Sequence, residues 1–201
     1  MNKLAITIVA ALALGACHKQ ASTTGEGSAM LENGDAPYTA LEGTGSATVP
    51  TTPDFVSKAA TSDMFEIESS RVALARSNNA EIKSFASQMI DAHKQTTTAL
   101  KGIVSKDHLA PPPVALDEDH AKLVADLKSA KPDEFDKLFL DQQSTAHRDT
   151  LALMQGYAAG GDNAHLKAFA GDTAPKVQGH LTMAQGLDKA GVDEGAAKPA
   201  A

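Results

Sequence analysis

Three of the seven histidines, His93, His147 and His180, fall where an apolar stripe continues on three separate helical segments. Imidazole is the commonest transition-metal ligand, and helical bundles build metal sites from side chains that project inward from facing helices. A carboxylate is expected beside them, and an earlier segment offers Glu66 and Glu68 on the two margins of its stripe around Ile67. Three imidazoles with a carboxylate suit zinc, copper or iron(II); magnesium and calcium prefer all-oxygen shells. Di-iron carboxylate bundles carry a Glu three residues before each ligating His. Here those positions hold Ile90, Ser144 and Val177, so the di-iron pattern is absent. The competing reading makes each histidine a packed core residue, hydrogen-bonded to Gln143, Thr173 or a backbone carbonyl of a neighbouring helix.

The elements that must position these rings are all helical by their apolar period. A first helix opens at Thr52-Pro53, a hydroxyl cap before a proline, with the stripe Val56, Ala60, Met64, Ile67 and Leu74. A second follows at once, with Asn78 and Glu81 spaced as a capping box and a seam of Ile82, Phe85, Met89, His93, Thr96, Leu100 and Ile103. Pro111, Pro112 and Pro113 stop it, and a short helical piece spans about 116–130. Pro132-Asp133-Glu134 starts the third long helix, striped by Phe135, Phe139, Gln143, His147, Leu151 and Met154 and ended by Gly160-Gly161. The fourth begins near Asp162 or Asn163, carries Leu166, Phe169, Thr173, Val177, His180, Ala184 and Leu187, and should bend at Pro175.

Short connections make the first and second, and the third and fourth, long helices antiparallel hairpins. The long connector between the pairs can run the length of the bundle and leave the second and third helices parallel. That is the single-crossover, ferritin-like four-helix bundle, all-α, with a short extra helix in the crossover; a five-helix meander is the alternative. Counting rises from the turns puts Glu66 and His93 in one layer, whereas His147 and His180 differ in height by roughly 9 Å.

The chain has 201 residues, 42% of them apolar and 4% aromatic, and a net charge of −7. This acidic balance lacks the basic surface that nucleic acid requires. One cysteine excludes an internal disulfide and a multi-cysteine metal site. Residues 1–16 read as a signal peptide, with Lys3 before an uncharged run from Leu4 to Leu14 that is too short to span a bilayer. Leu14-Gly15-Ala16-Cys17 resembles the bacterial lipobox, in which the cysteine becomes the lipid-modified first residue. His18 stands where an Asp would signal inner-membrane retention, so the resemblance implies an outer-membrane anchor through Cys17, facing the periplasm. Residues 17–52, rich in Gly, Ser, Thr and Ala, read as a disordered tether, residues 53–187 as the bundle and 188–201 as a disordered tail. Asp63, Lys83, Asp126 and Lys137 read as a solvated face, and Met64, Met89, Met154 and Met183 as core filler.

Phe55-Val56 with Ala59-Ala60, Met64 before Glu66-Ile67-Glu68, Phe85-Ala86, Met89-Ile90-Asp91, His93, His147, Leu166 to Ala170, Pro175 and His180-Leu181 together resemble a bacterial family. It is the "domain of unknown function 4142" family of predicted outer-membrane proteins. The resemblance implies a ferritin-like bundle on the cell envelope and no established activity. The family commonly has an acid directly before the histidines of its second and third helices; this chain has Ala92 and Ala146.

Two functions are expected from this reading. In the first, an envelope lipoprotein binds a transition-metal ion inside its bundle for storage, sensing or protection against oxidants. In the second, a non-catalytic module binds an envelope protein or the cell wall through its surface. Spacing places no nucleophile, acid or base for an enzyme, and it leaves the oligomeric state open.

Overall fold

The computed structural model describes residues 49–194. The signal segment, Cys17 and nearly all of the tether lie outside the described residues, as does the end of the tail. The described residues form five helices and no strand: α1 Thr52–Arg76, α2 Ala80–Lys106, α3 Glu118–Ser129, α4 Pro132–Gly160 and α5 Ala164–Glu194. None is long and apolar enough to cross a membrane.

Local chemistry sets the ends of these helices. Thr51 caps α1 by accepting from the Asp54 amide, and Pro sits in the first turns of both α1 and α4. The cap of α2 is Asn79, one residue beyond the expected Asn78; its side chain accepts from the Glu81 and Ile82 amides. Asp117 caps α3, and the Asn163 Oδ1 accepts from the Leu166 amide at the start of α5. α5 runs on to Glu194, so the tail expected to begin at 188 is helical through its first half.

α1 packs on α2 and α4, and α5 packs on α4 and α2, which places α2 and α4 at opposite corners of the bundle. Thr52 at the start of α1 meets Tyr157 near the end of α4, while Ser69 meets Gln143, so these two helices are antiparallel. It follows that α2 and α4 are parallel, the single-crossover topology. The crossover carries α3, which packs on α1 and α4. Arg76 pins it: its guanidinium donates to the carbonyls of Leu127 (2.6 Å), Lys128 and Ala130 (2.5 Å) and stands over the Phe135 ring at 5.2 Å. One side chain thereby neutralises the negative C-terminal end of α3.

The interior has three layers. An apolar cluster of Phe65, Ile82, Phe85, Met89, Leu127, Phe135 and Phe139 fills the end at the α1–α2 turn. A second, with Phe55, Leu100, Met154, Tyr157, Leu166 and Phe169, fills the end at the α4–α5 turn. Between them lies a buried polar belt that includes Ser62, Asp63, Glu66, Ser69, His93, Gln143, His147 and Thr150. This belt corrects the expected stripe of α1. Leu74 is exposed and Met64 and Ile67 are only half-buried, whereas Phe55, Ala59, Ser62, Glu66, Ser69 and Ala73 face inward at helical spacing. Met183 is likewise exposed rather than core.

Candidate metal centre

His93 on α2, His147 on α4 and His180 on α5 meet in the polar belt. Their ring centroids form a triangle with sides of 5.7, 5.8 and 5.4 Å. One ring nitrogen from each lies within 4.8 Å of the other two. The height mismatch expected between His147 and His180 closes for two reasons. α4 persists to Gly160, so the two histidines differ by only three residues in their distance from the turn (160 − 147 = 13; 180 − 164 = 16), about 4.5 Å of rise. Helical side chains also tilt towards their own N-terminus. In an antiparallel pair that tilt moves His147 away from the turn and His180 back towards it.

Two of the rings are anchored. His93 Nδ1 donates to Asp63 Oδ1 at 2.8 Å, and that carboxylate also accepts from Thr96 (2.7 Å) and Thr97 (2.9 Å). His147 Nδ1 donates to the Gln143 carbonyl at 2.8 Å. With Nδ1 as the hydrogen-bonding nitrogen, Nε2 is the atom of each ring left to ligate. Those two atoms, together with His180 Nδ1, are buried and have no hydrogen-bond partner among the described residues. A native interior rarely leaves three neighbouring acceptors unsatisfied. Burial pushes the His147 imidazole down to about 4. Burial and the two neighbouring histidines do the same for His180. At neutral pH these two are therefore uncharged ligands.

The two carboxylates singled out in the sequence part company. Glu66 is fully buried with Oε1 3.5 Å from His147 Nδ1, and both of its oxygens are unpartnered. Burial raises its pKa to about 7, against the opposing pull of His93. It flanks the triad from behind His147. Glu68 is a correction: it is half-buried and pairs with Arg71 at 2.5 Å, on the far side of α1 from Glu66. Asp63 is a second correction, since it is buried beneath His93 rather than on a solvated face. Its signal was its spacing from Glu66, three residues on, which puts both acids on one side of α1. The remaining histidines stand apart: His120 is half-buried against Phe65 and bonded to Asp117, and exposed His165 is bonded to Asp107.

Fold and site together define an all-helical bundle with a triad of converging imidazoles at mid-height, two of them buried and the third half-buried. The chain belongs to the family described as Domain of unknown function (DUF4142), whose model matches residues 38–187. No functionally curated protein matches it. Among solved structures it is similar to a DUF305 fragment from Deinococcus radiodurans, with 14% identity and a TM-score of 0.61 over 68% of this chain and 94% of that one. It is also similar to CopM in its Cu(II)-bound form, with 14% identity and a TM-score of 0.60 over 70% and 97% of the two chains. CopM in an Ag-bound form matches at 16% identity and a TM-score of 0.58, over 70% and 96%. At these identities the likeness is one of fold.

Proposed function

We propose that this protein is an envelope lipoprotein whose bundle binds one copper ion through His93, His147 and His180. The carrying observation is that each of the three rings has a buried nitrogen without a partner among the described residues, and that one ring nitrogen of each lies within 4.8 Å of the other two. Neutral nitrogen donors without thiolates or an oxygen cage suit copper, zinc or iron(II). Copper heads the stability series for divalent ions. The similar bundle of CopM holds Cu(II), Cu(I) and Ag, which supports the same choice. Glu66 stands ready as a nearby carboxylate whose ionisation offsets the charge that an ion brings into the interior. Storage, sensing and protection against oxidants are the roles such a site serves at the outer membrane, where lipid on Cys17 would hold the domain facing the periplasm.

Calorimetric titration of wild type and His93→Ala with Cu(II) and Zn(II) tests the reading. Wild type should take up one equivalent of copper more tightly than zinc, and the variant should lose most of the copper heat. Equal heats from the two proteins would sink the proposal.

A further inference from the structure

Resting on the copper reading, we infer that the ion enters and leaves through the cleft between α2 and α5, with His180 as the ligand that moves to admit it. The three imidazoles are not equivalent. His93 and His147 are 4% and 1% exposed and each is locked through Nδ1. His180 is only half-buried, and its Nδ1 has no hydrogen-bond partner among the described residues. The backbone beneath it is weakened by two residues. Pro175 removes one helical hydrogen bond a turn before His180, and Gly179 faces open space directly before it.

A cleft of about 650 Å³ runs along this same side of the molecule. Its walls include His93, Gln95, Thr96 and Ala99 from α2, and Asp172, Lys176 and His180 from α5, but not His147. The anchored ring of His147 and the carboxyl of Glu66 close the opposite side. Two nitrogens bound to one ion at 2.0–2.1 Å stand at most about 4.2 Å apart, and about 3.5 Å in a trigonal arrangement of three. The triangle of up to 4.8 Å must therefore contract on binding. Two rings are held by hydrogen bonds, so the contraction falls to the third. Swinging His180 outward opens the site to the cleft, and swinging it inward completes the coordination.

The test uses the full chain loaded with Cu(II), measuring release to an excess of a chromogenic chelator alongside the equilibrium affinity. Bulky residues on the exposed walls of the cleft, Gln95→Trp and Ala99→Trp made separately, should slow release by about tenfold and leave the equilibrium affinity unchanged, because a blocked route alters the barrier and not its end states. Ala152→Trp, on the exposed side of α4 away from the cleft, should release at the wild-type rate. His180→Ala should still bind copper through the two anchored rings but release it at least about tenfold faster. Wild-type release rates in both cleft variants, or a slow rate in the Ala152 variant alone, would overturn the route. Failure of wild type to bind any copper would instead overturn the proposed function, and the route with it.

Discussion

Asp63 holds the His93 ring by its Nδ1 proton while two threonines hold Asp63. A carboxylate behind a ligating imidazole fixes its tautomer and raises its basicity, and loss of such support costs about 10–100-fold in metal affinity. Asp63→Asn should therefore weaken copper binding by that order while leaving the helical content intact, as titration and circular dichroism would show. Glu66 makes a separate prediction for the metal-free protein. Its folded pKa of about 7 stands above the ordinary 4.5, so the native state keeps a proton that the unfolded chain has lost. Its stabilising contribution is complete below pH 4.5 and disappears as pH rises through 7. At 1.36 kcal/mol per unit the full difference is about 3 kcal/mol. His147 works in the opposite sense: with its pKa lowered from 6.5 to about 4, it contributes stability above 6.5 that is lost on acidification. Glu66→Gln should thus match wild type in urea unfolding at pH 5 and exceed it by about 1–3 kcal/mol at pH 8. A constant offset at both pH values would refute the assignment.

Among the elements, the α4–α5 hairpin decides whether His147 and His180 meet, and its turn is clamped. The Tyr157 hydroxyl contacts Thr52 at 2.5 Å and donates to Asp162 at 3.0 Å, and Thr52 also donates to Asp162. The Tyr157 ring stacks on Phe55 at 4.1 Å. Gly161 lies against that ring, where an added Cβ would overlap its carbons. Because Tyr157 is completely buried and bonded at its tip, it has nowhere to shift. Gly161→Ala should cost about 1–3 kcal/mol of stability, read from urea unfolding. The helices themselves were legible as sequence because prolines, caps and glycines punctuate them. The inner face of α1 was not, since Ser62, Asp63, Glu66 and Ser69 have the residue types of a solvent face. Hydropathy cannot tell a buried polar belt from a wet surface.

For the whole molecule, two apolar clusters seal a polar layer, so an ion bound at mid-height would be shielded from bulk water at both ends. If Cys17 carries lipid, two or more acyl chains give stable membrane attachment. Cys17→Ser should then move the protein from the membrane fraction to the soluble one without changing copper affinity, which cell fractionation and titration measure separately.

Periodicity, caps and connection lengths were enough to specify an all-helical bundle with one crossover, because each is a local property that the chain displays in order. They also nominated His93, His147 and His180, since a polar residue interrupts an apolar stripe visibly. Whether three rings on separate helices share a height depends on where each helix ends and how each side chain tilts. A helix-end error of two residues moves a ring by about 3 Å, as much as the spacing between two ligand atoms. For the same reason only the assembled bundle distinguished Glu66 from Glu68 and revealed Asp63. Facing partners, not residue type, decide which acids are enclosed.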